Sequence, residues 1–76
     1  VNDSNLKSYI LYRISNIYKD KDNFQEALKF SLQATGIAAK NEWQLMLPTY
    51  YAVLSKNYLR LNKVDSAIYY SNKGLH

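Results

Sequence analysis

Laid against itself at a shift of forty residues, the chain repeats: Ser15 falls on Ser55, Tyr18 on Tyr58, Ala27 on Ala67 and Ser31 on Ser71. Similar residues pair between those identities: Ile14 with Leu54, Phe24 with Val64, Leu28 with Ile68, Phe30 with Tyr70 and Ala34 with Gly74. Small residues match small and large match large, which is what a recurring close helix crossing demands. Such self-similarity points to a repeat array.

Within each half the apolar spacing is helical. From Asp3 to Asp20, Leu6, Ile10, Leu11, Ile14, Ile17 and Tyr18 recur every three or four residues and form one stripe, with Asp3 or Ser4 available to cap its start. Lys19-Asp20-Lys21-Asp22-Asn23 breaks the pattern as a polar turn. Asn23-Phe24-Gln25-Glu26 then has the form of a capping box. A second stripe follows, from Phe24 through Ala27, Leu28, Ala34, Ile37 and Ala38, and ends near Lys40. Asn41-Glu42-Trp43-Gln44 reads as another cap, opening a third helical stretch to about Leu61. After the turn Leu61-Asn62-Lys63, residues Asp65 to Leu75 make a fourth helix, with Asp65 at its positive end.

Pro48 conflicts with a helix that starts at Glu42, because an interior proline lacks a donor and clashes with the preceding turn. The spacing predicts a break or kink between Gln44 and Pro48. Either the helix bends there, or it restarts near Leu47 with Trp43 to Met46 as a separate turn.

Composition removes other classes. Seventy-six residues make one small domain or a piece of a larger one, and a segment of a longer repeat protein is the preferred reading. A chain of this size buries only about 60% of the surface its unfolded form exposes, so stability is marginal. There is no cysteine, hence no disulfide framework, thiolate nucleophile or cysteine zinc site. The one histidine, His76, is terminal and reads as inert or as a cloning remnant. No apolar run nears the roughly 18 residues of a membrane span, and Val1 does not open a signal peptide. No phosphate-binding glycine loop exists; Gly36 and Gly74 stand alone and are read as permitting close helix packing. No catalytic, metal or cofactor site is expected.

In the order bulky, leucine-like, small, tyrosine, aromatic or aliphatic, alanine, small, the first half supplies Leu11, Ile14, Ser15, Tyr18, Phe24, Ala27 and Ala34. The second supplies Tyr51, Leu54, Ser55, Tyr58, Val64, Ala67 and Gly74. This pattern resembles the tetratricopeptide repeat family over nearly the whole chain. The resemblance implies an all-α fold: two tandem helix-turn-helix hairpins, residues 6–40 and 46–75, whose four antiparallel helices form a segment of right-handed solenoid. Ser31 and Ser71 replace a common aromatic, Asp22 and Asn62 stand at the turn glycine, and the forty-residue period matches an extended variant seen in bacterial regulatory and scaffold proteins.

In such proteins the first helix of each hairpin lines a concave groove. Tyr9, Tyr12, Arg13, Asn16, Lys19 and Asp20 form that stripe here, matched by Thr49, Ala52, Val53, Lys56, Leu59 and Arg60. The expected groove is cationic, from Arg13, Lys19, Lys56 and Arg60, with Tyr9 and Tyr12 as flat anchors. It would suit an acidic or C-terminal peptide. The plainer alternative is a solvated face whose tyrosines complete the core. The carboxylate clamp of chaperone-binding relatives is not reproduced: Asn16 matches one position, but Tyr12 and Val53 replace the other two. Trp43 is read as covering the end of the second helix.

The functional expectation is therefore a noncatalytic peptide-binding module, the sensor or scaffold part of a bacterial regulator. The alternative is a self-association module whose open ends stack on other copies. Nucleic acid is disfavoured, because the net charge of +4 is spread without a basic block. A cytoplasmic location is favoured over a periplasmic one.

Overall fold

The computed structural model describes residues 3–74; the expectations placed on Val1, Leu75 and His76 lie outside them. Four helices follow one another: α1 Asp3–Asp20, α2 Phe24–Lys40, α3 Leu47–Arg60 and α4 Val64–Gly74. No strand occurs among the described residues, and the fold is all-α. Each helix packs on its neighbours in sequence: α1 on α2, α3 on α4, with the two hairpins meeting through α2 and α3. The first hairpin is antiparallel by its own hydrogen bonds. Ser8 Oγ donates to the Ala34 carbonyl at 2.9 Å and Ser15 Oγ to the Ala27 carbonyl at 2.7 Å, so one index falls as the other rises.

The two hairpins match at the forty-residue spacing. Ser55 Oγ donates to the Ala67 carbonyl at 2.8 Å, as Ser15 does to Ala27. Tyr18 stacks on Phe30 at 5.5 Å and 3°, and Tyr58 on Tyr70 at 5.6 Å and 3°. Ala27 and Ala67 are both buried.

Three helices close in the same way. The N–H of Asn23 reaches the Tyr18 carbonyl, that of Trp43 the Ala38 carbonyl and that of Lys63 the Tyr58 carbonyl, all at 2.9 Å. Each bond spans one left-handed residue: Asp22 (φ 60°), Glu42 (φ 53°) and Asn62 (φ 61°). This closure favours glycine; Asp and Asn tolerate the conformation, whereas glutamate has no local hydrogen bond to offset the contact of its Cβ. Glu42→Gly should therefore stabilise the chain by about 1 kcal/mol or slightly less, after the greater freedom of glycine in the unfolded state is subtracted. Urea midpoints of the two proteins measure it; an unchanged or lower midpoint would contradict the strain.

Several expectations are corrected. Asn41 does not open a helix but ends one: its N–H and Nδ2 both return to the Ile37 carbonyl, at 3.1 and 2.8 Å. Trp43 to Met46 form a separate turn, and α3 begins at Leu47 with Pro48 in its first turn, where no intrahelical donor is needed. Asp3 and Ser4 lie inside α1 rather than before it, Asp3 in the first turn. The capping role of Asn23 does hold, its Oδ1 accepting from the Glu26 N–H at 3.4 Å. Gly36 is exposed, with nothing within 4 Å of where a Cβ would stand, so it permits no close packing. Gly74 does, since a Cβ there would meet the Tyr51 Cβ at 3.3 Å.

The largest correction concerns α1. Leu6, Ile10 and Ile17 are 49%, 50% and 54% exposed, while the residues α1 buries fully are Ser8 and Ser15. The line facing α2 runs through Ser8, Leu11, Ser15 and Tyr18, and the isoleucine stripe lies one face around from it. The core itself joins the hairpins. Ala34 and Ala38 of α2 pack with Leu47 and Tyr50 of α3, and Leu11, Tyr12, Trp43, Met46 and Tyr51 surround them. Trp43 thus covers the end of α2, its ring edge-on to Tyr50 at 6.3 Å. Of the paired tyrosines, Tyr69 points outward while Tyr70 stacks with Tyr51 and Tyr58. Tyr50 and Tyr51 both pack inward, because they meet different helices.

Candidate functional site

An open cleft of about 880 Å³ is lined by the C-terminal ends of α1 and α3. α1 contributes Lys19 and Asp20, the following turn Asp22, and the start of α2 Phe24. α3 contributes Lys56, Asn57, Leu59 and Arg60, and its closing turn adds Asn62. Four of the eight residues singled out from sequence, Lys19, Lys56, Leu59 and Arg60, therefore share one cavity.

The other four lie elsewhere on α1. Tyr9 stands ten residues from Lys19, roughly 15 Å along the helix axis. Its hydroxyl accepts from Arg13 Nη1 at 3.3 Å, and its ring lies 5.8 Å from that of Tyr12. Tyr12 is half-buried, 5.1 Å from the ring of Tyr50, and belongs to the core margin more than to a free surface. Asn16 is half-buried between the two groups along the helix. The stripe is thus two clusters, an aromatic one toward the middle of α1 and a charged one at its end.

The charged cluster is only partly neutralised. Lys19 Nζ is 3.8 Å from Asp20 Oδ1, but Asp20 is largely and Lys19 partly exposed, and such a pair contributes at most about 1 kcal/mol. Lys56 and Arg60 form no ion pair among the described residues. The Arg60 guanidinium instead lies 5.8 Å over the Phe24 ring, which fixes the height of its head at the cleft wall. Three cations face two carboxylates, Asp20 and Asp22, a net lining charge of +1. Two helix C-termini, each carrying about half a negative charge, also end here and offset that excess. What the cleft offers an anionic guest is the separate heads of Lys56 and Arg60, which form no ion pair among the described residues.

Asn57 is the residue that sequence reasoning missed. It is fully buried; Nδ2 donates to Ser31 Oγ at 3.2 Å, and Oδ1 has no hydrogen-bond partner. A signal existed, because Asn57 occupies the helix phase that Ile17 holds in α1, a polar residue on an otherwise apolar stripe. Among the described residues no group of His, Cys, Asp and Glu could hold a metal ion, and no helix is long and apolar enough to cross a membrane.

No family model matches the chain, and no curated protein or solved structure is significantly similar to it. What fold and site define is an all-α chain of two matched helix hairpins with an open cleft lined by the C-terminal ends of α1 and α3, among them Lys19, Lys56 and Arg60.

Proposed function

We propose that this chain is a noncatalytic protein-interaction module of the tetratricopeptide kind, one that holds an acidic peptide segment along α1 and α3. The observation that carries this reading is the pair of unpaired cations, Lys56 and Arg60, beside Lys19 in one open cleft. Carboxylates of a guest would take charge-assisted hydrogen bonds there, each worth about 1.5–3 kcal/mol. Farther along α1, the exposed edge of Tyr9 with Arg13 offers a second contact for an extended segment. Such a module belongs to the sensing or scaffolding part of a larger regulatory protein, with bacteria as the preferred source.

The test is capture of fluorescent acidic peptides of about ten residues, followed by anisotropy. Arg13→Glu combined with Arg60→Glu should lower affinity by about a hundredfold or more, because two attractive contacts become repulsive. Both side chains are exposed, so the helical circular dichroism should stay. Unchanged capture by the double variant would place the guest elsewhere.

A further inference from the structure

One face of the second hairpin carries more aromatic surface than its packing uses. Tyr51 of α3 and Tyr70 of α4 stack at 6.1 Å and 23°, and Tyr69 stands edge-on to Tyr70 at 4.9 Å and 85°. Tyr51 and Tyr70 are half-buried, whereas Tyr69 is 57% exposed. The three rings make a right-angled cup. The Lys73 ammonium sits in it, 5.6 Å from the centre of the Tyr51 ring and 5.5 Å from that of Tyr69, and donates to the Tyr69 hydroxyl at 3.4 Å. Lys73 forms no ion pair among the described residues, so ring faces and one phenol hold its charge. The first hairpin shows what the fold itself requires. Forty residues earlier, the cup positions carry Leu11, Lys29, Phe30 and Gln33. Leu11 and Phe30 are half-buried, like Tyr51 and Tyr70. Lys29 and Gln33 are exposed although a second hairpin follows them, so exposure at Tyr69 and Lys73 belongs to this face of a hairpin and not to where the sequence stops. Hairpin packing therefore makes no demand for a tyrosine at 69; its ring adds a wall.

We propose that this cup is a binding site for a quaternary ammonium group, the head of choline or of trimethyllysine, and that Lys73 is its internal stand-in. Distance favours the methylated head. A methyl carbon touches a ring at about 3.5–4.0 Å, and its nitrogen lies one bond farther, at about 5 Å. At 5.5 and 5.6 Å, the bare ammonium of Lys73 leaves the space for those methyls unfilled. Hydration favours it too. A primary ammonium is strongly hydrated and keeps its donors best satisfied in water, whereas a quaternary one has no donor to lose and is drawn to ring faces. Lys73 is exposed on a flexible stem, so its head swings out as a guest enters. None of the residues lining the cleft of α1 and α3 belongs to the cup, which is a second site independent of the peptide reading.

Ring-proton NMR shifts of Tyr51, Tyr69 and Tyr70 in the full chain, with choline as the probe, test this. Saturable binding with a Kd of about 1–10 mM is expected. Lys73→Ala empties the cup and should tighten binding about threefold or more, while Tyr69→Leu removes a wall and should weaken it about fivefold. Both side chains are exposed, so circular dichroism should show both variants folded. The neutral isostere of choline, with a tert-butyl group in place of the trimethylammonium, should bind about fivefold more weakly, because it fills the same space without the charge. N-acetyl trimethyllysine amide, titrated alongside, separates the two sources of the head: tighter binding than choline assigns the cup to a methylated protein side chain, weaker binding to a free solute. No ring shift in Lys73→Ala up to about 50 mM choline overturns the proposal. So does equal binding of the isostere, weaker binding by Lys73→Ala than by the parent, or binding by Tyr69→Leu as tight as the parent's. Each of these failures leaves peptide capture at the cleft as it was.

Discussion

Replacing Tyr50 with alanine should remove about 4 kcal/mol of stability, the scale set by deleting a buried aromatic side chain. Tyr50 is 1% exposed and touches both hairpins, through Ala34 and Ala38 on one side and Tyr12 and Trp43 on the other. A chain of this size holds roughly 4–11 kcal/mol in total. The variant should thus be partly or largely unfolded at room temperature, seen as loss of helical circular dichroism and a collapsed urea midpoint. A midpoint within about 1 kcal/mol of the parent would mean that the hairpins do not depend on one another.

Tyr50→Phe should act in the opposite direction. The phenol oxygen is buried with no hydrogen-bond partner; Ser8 lies near enough to ease its ionisation slightly, but the Ser8 proton goes to the Ala34 carbonyl. Removing an unsatisfied buried hydroxyl should stabilise by about 1 kcal/mol. Burial also raises the Tyr50 pKa above its ordinary value, with smaller contributions from the phenolates of Tyr12 and Tyr9. The folded state then holds this proton more tightly than the unfolded chain. Its contribution is complete below about pH 10 and is lost as pH rises through the folded value. Tyr58, raised mainly by burial, has the same sign. Stability should fall on the alkaline side, and Tyr50→Phe should make that fall shallower without abolishing it.

The helices were legible because their signals are local. Asn23 caps α2, Asp65 opens α4, and the polar turns fall where the three- and four-residue spacing breaks. The forty-residue match, read from residue types alone, reappears in hydrogen bonds and ring stacks. What could not be read was which of two adjacent faces on α1 turns inward. Large apolar residues mark Leu6, Ile10 and Ile17 as core, and that assignment holds only where another helix covers them, as α2 covers Tyr50 on α3. In α1 the inward line passes through Ser8 and Ser15, which hydropathy scores as surface. Asn41 misled for a related reason, since an asparagine side chain serves a helix end as readily as a helix start. At the cleft, Lys19, Lys56, Leu59 and Arg60 were placed by helix phase, whereas Tyr12 was claimed by the core because its ring reaches Tyr50.

Those serines give the second large effect, at Ala27. Its side chain is fully buried, and its carbonyl accepts from Ser15 Oγ at 2.7 Å, so the backbones of α1 and α2 stand within the reach of one serine side chain. Ala27→Leu inserts three carbons at that crossing. Overpacking alone costs about 1–3 kcal/mol. Spreading the helices also strands the Ser15 hydroxyl in a buried site, which adds about 1–3 kcal/mol. We expect a loss of about 4 kcal/mol, comparable with that for Tyr50→Ala. Ala67→Leu should lose less, because Ala67 is 5% exposed and Ser55 only partly buried. Ala39→Leu, on the exposed side of α2, should change little. That ordering, read from urea midpoints, separates a crossing fixed by small residues from one fixed by large apolar contacts. Equal losses at Ala27 and Ala39 would show that helix spacing is not what these alanines control.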